Sequence, residues 1–140
     1  MSRSQFTVLF LAVAVVLFLG GCGKNISLKG RVVFTDDGTP LTAGTVCFVT
    51  ENTLARGSLD SNGTYTVGTI GKRDGLAADT YRIYILDAHR EVGVDEQNMP
   101  IYEPLIDEKY MNPETSGLSI VVDRQTSRYD IQVERPVSKR

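Results

Sequence analysis

The sequence predicts an all-β fold, an antiparallel β-sandwich of about seven strands spanning residues 28–134. Short apolar stretches alternate with a period of two, strong turn signals separate them, and hardly any stretch sustains a helical period. A lone hairpin of such strands leaves too much apolar surface in water. Two facing sheets bury it by pooling their apolar faces.

Residues 28–35 form the first predicted strand, with Val32, Val33 and Phe34, and stop at Asp36-Asp37-Gly38-Thr39-Pro40. Asp side chains accept from nearby amides, Gly admits positive φ and Pro fixes φ, so the chain reverses there at little cost. Residues 45–50 supply the second strand, in which alternation puts Val46 and Phe48 on one face and Cys47 on the other. Residues 55–60 and 64–67 flank Ser61-Asn62-Gly63, the clearest hairpin signal, because Asn-Gly readily adopts tight-turn angles. In the next strand Tyr81, Ile83 and Ile85 share one face while Arg82 and Tyr84 occupy the other. Residues 119–122 and 129–133 form the final pair of strands, joined by the polar reversal Asp123-Arg124-Gln125-Thr126-Ser127. The expected core is Val32, Phe34, Val46, Phe48, Leu59, Tyr65, Val67, Tyr81, Ile83, Ile85, Ile120, Val122, Ile131 and Val133.

The longest irregular region is 89–117, with Pro100, Pro104 and Pro113. A connection of that length carries either packing of its own or function. Its Met99, Ile101, Tyr102, Leu105, Ile106, Tyr110 and Met111 lie among acidic residues. Two readings follow: a mixed apolar and polar contact surface over 96–114, with Tyr102, Leu105, Ile106 and Tyr110 as candidate partner-binding residues, or a cover for the open edge or end of the sandwich.

Arg3 precedes about a dozen apolar residues, and Leu19-Gly20-Gly21 leads into Cys22. The order resembles a bacterial lipoprotein signal, whose cysteine receives diacylglyceride. The resemblance implies a signal peptide over 1–21 and a lipidated tether over 22–27 attached at Cys22; at the other end, residues 135–140 read as a C-terminal tail with Val137-Ser138-Lys139-Arg140 solvated. The apolar stretch is short for a membrane span, which needs about 20 residues. Plain secretion with an incidental cysteine is the other alternative. Gly23 stands where Asp would resemble an inner-membrane retention signal, so the expected location is extracytoplasmic, lipid-anchored to the cell membrane or the outer membrane.

Cleavage before Cys22 leaves 119 residues, the length of one domain, with 14 basic and 17 acidic residues. The bases are dispersed and the chain has no Trp, which points away from a nucleic-acid ligand. With Cys22 carrying lipid, Cys47 has no cysteine partner in the chain and reads as a packed strand thiol. His89 is the single histidine, and no base or orienting group accompanies it or Cys47 in a nucleophilic arrangement. Asp60-Ser61-Asn62-Gly63 begins like a calcium loop, but Thr64 and Tyr65 follow where oxygen ligands belong and no terminal Glu is correctly spaced. Asp37, Gly38, Asp60, Asn62 and Gly63 therefore read as turn residues. The expectation is no cofactor, no metal and no catalytic residue.

Gly30-Arg31-Val32, Asp37-Gly38-Thr39-Pro40-Leu41, Gly44-Thr45-Val46-Cys47-Phe48, Asp60-Ser61-Asn62-Gly63-Thr64-Tyr65 and Ala78-Asp79-Thr80-Tyr81-Arg82-Ile83 occur in that order. Together they resemble the carboxypeptidase-regulatory-like domains, which have a transthyretin-like sandwich fold. Pro104-Leu105-Ile106-Asp107-Glu108-Lys109-Tyr110 and Thr115-Ser116-Gly117-Leu118 add a likeness to small planctomycete lipoproteins carrying such a domain. Asp107 departs from a frequent proline there, and Asp79 from a common glycine. The resemblance carries no shared catalytic chemistry. The tether at Cys22, the lack of a coherent catalytic set and the long aromatic, acidic connection lead to the expectation of a membrane-anchored, non-catalytic binding or structural module of the cell envelope, with the bilayer as partner and an envelope protein or polysaccharide as a candidate second one. The alternative is a small hydrolytic enzyme on the same fold, but one His and the ending Val137-Ser138-Lys139-Arg140 do not match the transthyretin-fold hydrolases.

Overall fold

The computed structural model describes residues 25–69 and 74–138. The signal segment, Cys22 and residues 23–24 of the tether lie outside the described residues. Among those described are β1 (Lys29–Phe34), β2 (Thr45–Val49), β3 (Leu54–Ser58), β4 (Thr64–Thr66), β5 (Asp79–Leu86), β6 (His89–Val94) and β7 (Pro100–Pro104). A 3-10 helix (Glu108–Met111), β8 (Leu118–Val122) and β9 (Ile131–Val133) complete the order. Seven strands build a sandwich from a β4-β1-β9 sheet and a β3-β2-β5-β8 sheet, and these are the seven that alternation predicts. The remaining two, β6 and β7, pair only with each other.

Apolar residues of both sheets meet in one core. Val32, Phe34, Tyr65, Val67, Ile131 and Val133 come from one side and Val46, Phe48, Tyr81, Ile83, Ile85 and Val122 from the other. Phe48 touches Tyr65 across the layers at a ring separation of 6.0 Å. Fully burying each large apolar side chain contributes roughly 1.5–3 kcal/mol before ordering costs. Leu59 and Ile120, expected in the core, are only partly covered at its margin. Leu28, in phase with Val32 and Phe34, is also fully buried, as are Leu41, Leu76 and Ile106 from positions with no strand alternation to betray them.

Three expectations about pairing are corrected. The sandwich is not wholly antiparallel, because β9 runs parallel to β1, with Val32 opposite Ile131 and Phe34 opposite Val133. The polar stretch 123–127 is a corner between sheets: β8 belongs to the β5 edge, and the chain crosses the sandwich before β9 joins β1. The Asn62-Gly63 turn forms as expected, with Gly63 at φ 72° and the Asp60 carboxylate accepting from the Asn62 and Thr64 amides at 2.8 and 2.9 Å. Yet β3 and β4 enter different sheets, joined beyond the turn by reciprocal Arg56–Gly68 bonds of 2.9 Å. Finally, 89–117 is not irregular throughout, since it holds a hairpin and a helical turn.

Gly30 marks the tightest backbone approach. A Cβ there would lie 1.8 Å from the Tyr129 carbonyl oxygen, which also accepts the Tyr65 hydroxyl. Burial pushes the Tyr65 phenol well above its ordinary pKa, so it remains a donor. At the other end of β1, Arg135 bonds Asp36 and Asp37 at 2.9 and 3.1 Å and lies 3.8 Å over the Phe34 ring. The first residue of the 135–140 tail is thus held against the end of β1.

Candidate functional site

Between Ala88 and Leu105 the chain leaves the sandwich as the β6–β7 hairpin. His89 pairs with Pro104, Arg90 with Glu103 and Glu91 with Tyr102, and a register shift between Glu91 and Gly93 puts Val92 in a bulge. The Asp95 carboxylate accepts from the Gln97 and Met99 amides at 2.9 and 2.8 Å, and Asn98 adopts φ 63° to close the turn. Arg90 bonds Glu103 at 2.7 Å, and His89 meets Tyr102 edge-on with centroids 4.6 Å apart. Val92, Val94, Met99, Ile101 and Tyr102 are each 45–60% exposed. The hairpin thus exposes apolar side chains on both of its strands, beyond the closed core of the sandwich.

The sequence-predicted contact surface divides at Leu105. Of its four candidates, Tyr102 stands on the exposed hairpin and Leu105 is half-buried, whereas Ile106 and Tyr110 face the core. Leu105 donates its amide to Ala88 and Asp107 donates its own to Glu134, tying this stretch across the end of the sandwich. Asp107 caps the 3-10 helix by accepting from the Lys109 amide at 3.0 Å, and Lys109 pairs with Glu134. Buried Ser116 donates to the Ile83 carbonyl and accepts from Leu118 at 3.2 Å, fixing the entry of β8 onto β5. Residues 105–118 therefore pack across the end of the sandwich, and the exposed apolar residues of the 96–114 stretch are those on the hairpin. Val92 and Val94 were missed by the sequence reading. Their signal was the Val92-Gly93-Val94 stretch facing Ile101-Tyr102 across the turn formers Asp95 and Asn98.

The remaining candidates are accounted for by structure. Cys47 is fully buried under the outer face of β2, with its cross-strand neighbours Arg56 and Tyr84, and burial raises its thiol pKa. Asp37 accepts the Thr39 amide and hydroxyl at 3.0 and 2.7 Å, and these bonds, with Arg135 adding its charge, lower it to about 2. Among the described residues no group of three or more His, Cys, Asp and Glu is placed to hold a metal ion. A shallow depression of about 510 Å³ is lined by Val49, Thr50, Glu51, Asn52, Asp79, Thr80 and Arg82. It contains neither a thiol nor an imidazole. No helix among the described residues is long and apolar enough to cross a membrane.

No protein-family model matches the chain, and no curated protein matches it. The major pilin subunit BcpA of Bacillus cereus aligns with 80% of this chain and 30% of its own at 10% identity and a TM-score of 0.45. A DUF3823 family protein from Bacteroides ovatus aligns with 79% of this chain and 45% of its own at 14% identity and a TM-score of 0.42. A 9R-lipoxygenase from Cyanothece aligns with 81% of this chain and 16% of its own at 16% identity and a TM-score of 0.36. The chain thus spans less than half of each protein. Likeness at this level carries no argument about activity or partners.

Proposed function

We propose that the chain is an exported lipoprotein, anchored through Cys22, that serves as a non-catalytic binding or structural module of the cell envelope. Its sandwich is of the transthyretin-like, carboxypeptidase-regulatory-like kind, and its contacts to an envelope protein or polysaccharide run through the β6–β7 hairpin. The observation that carries this reading is the hairpin itself: five large apolar side chains exposed on a ribbon outside a sandwich whose own core is closed. The ordered basic, apolar and small-residue segment before Cys22 supplies the tether, since one acyl chain gives marginal membrane binding and two give stable anchoring.

Intact-mass analysis of the chain from native membranes tests the anchor, with a lipidated species beginning at Cys22 expected. Recovery of an uncleaved, unmodified chain rejects it. Replacing residues 89–104 by a flexible linker tests the module: binding to isolated envelope fractions disappears while the thermal transition stays in place. Turnover of a hydrolysable substrate that survives repurification and is lost on His89→Ala defeats the non-catalytic reading.

A further inference from the structure

We infer that the hairpin docks onto a cationic protein surface with an apolar pocket, and that it does so from the end of the sandwich opposite the lipid tether. The inference rests on the proposed anchor at Cys22. Three peptide units separate Cys22 from Asn25 and span at most about 11 Å, so the anchor holds the beginning of β1 near the bilayer. Ile26 bridges to Leu76, three residues before β5 begins at Asp79, so β1 and β5 start at the same pole. β5 then runs eight residues, roughly 27 Å, to Leu86, and the hairpin follows at His89. Its base confirms the polarity: Asp107 donates to Glu134, which follows Val133, the partner of Phe34 at the far end of β1. The hairpin is rooted away from the membrane.

Charge and side-chain type then select the partner. The hairpin carries Arg90 against Glu91, Asp95, Glu96 and Glu103, a formal charge of −3 with His89 neutral. Glu91 and Glu96 are exposed and have no ion pair among the described residues. Carboxylates around exposed valine, isoleucine, methionine and tyrosine complement an apolar pocket rimmed by lysine or arginine. The same charge repels an anionic lipid surface and a second copy of the hairpin. Recognition runs through side chains rather than strand addition, because Pro100 and Pro104 bracket β7 and the Val92 bulge interrupts β6. Tyr102 is the one aromatic ring among the five exposed apolar residues, so most of the exposed apolar surface is aliphatic or thioether and suits a protein pocket better than a sugar face.

The test places the photoreactive residue p-benzoylphenylalanine at Tyr102, or at exposed Asn52 near the tether, in the full chain in native membranes. Adducts are mapped to the crosslinked peptide or lipid. The Tyr102 probe is expected to mark a lysine- or arginine-rich segment of another protein, and the Asn52 probe to mark lipid. Glu91→Gln with Glu96→Gln leaves the turn caps intact and is expected to cut the Tyr102 adduct about tenfold, as is about 1 M NaCl, where the Debye length falls to roughly 3 Å. A Tyr102 adduct with lipid, glycan or a second copy, no adduct, or an adduct indifferent to the two substitutions overturns the inference. Intact mass and the partition of Cys22→Ala report the anchor separately. A charge-dependent Tyr102 adduct on an unlipidated chain defeats the tether alone.

Discussion

The β2–β5 pair and the β6–β7 pair are both antiparallel ladders of five residue pairs, yet they occupy opposite extremes of burial. In β2, Val46, Cys47 and Phe48 are all buried, so both faces of the strand are covered. In β6 and β7 every residue except half-buried His89 is exposed. Backbone hydrogen bonding is common to both and adds a net of only about 1 kcal/mol per bond. Apolar burial makes the difference, so the sandwich sets stability while the hairpin is free to vary its surface chemistry.

The comparison is broken most severely at Gly30. Gly30→Val drives a side chain into the Tyr129 carbonyl and the Tyr65 hydroxyl, and we expect a loss above about 4 kcal/mol, read as the absence of a cooperative melt. A variant melting near the native temperature would show that β1 and the 128–130 segment are not held at this distance. Ile83→Ala, in the middle of β5, is expected to cost about 3 kcal/mol through lost burial and a residual cavity. Denaturant midpoints measure it, and a change under about 1 kcal/mol would place Ile83 outside a tightly packed core. On the hairpin, Val94→Ser and Ile101→Ser should each stay within about 0.5 kcal/mol. A larger loss in either would mean that the hairpin packs on the sandwich in solution and that the two regions are one stability unit.

The smallest effect is electrostatic. The Thr39 bonds and Arg135 lower the folded-state pKa of Asp37 from 3.8 to about 2, so the unfolded chain binds the proton more tightly. The stabilisation is complete above about pH 4 and disappears as the pH falls through 2. Melts of the native chain and Asp37→Asn should differ by a constant gap above pH 4 that closes between pH 4 and 2. Because Asp37 and Arg135 are solvated, the gap is small and shrinks further with salt. A gap that widens on acidification would remove these bonds from the folded state.

Alternation was readable where one face of a strand is dry and the other wet, as in Tyr81, Ile83 and Ile85 against Arg82 and Tyr84. It fails on the hairpin, where both faces meet water and the bulge at Val92 breaks the period. Turn chemistry was equally local: Asp60 and Gly63 declare a reversal, but their sequence does not state that the strands on either side join different sheets. That partition is set by which apolar faces must meet across the core. The same limit applies to which residues of 96–114 are exposed. Tyr102, Ile106 and Tyr110 look alike in an acidic, proline-punctuated stretch, and only the bonds of Leu105 to Ala88 and of Asp107 to Glu134 turn the last two inward.

The parallel seam between β1 and β9 also governs when the domain can form. The Arg31 amide bonds the Asp130 carboxylate across 99 residues of chain. β9 is made well after β1, so until then one side of β1 lacks its strand partner. Closing so long a loop is slow as well as entropically costly, and folding dominated by such distant pairings takes milliseconds to seconds. A chain cut short before β9 keeps β4 and the Pro40 bridge beside β1 but lacks Ile131 and Val133, which share the core with Val32 and Phe34. The β1 sheet is therefore complete only once β9 has been made, however early the rest of the strand order is in place.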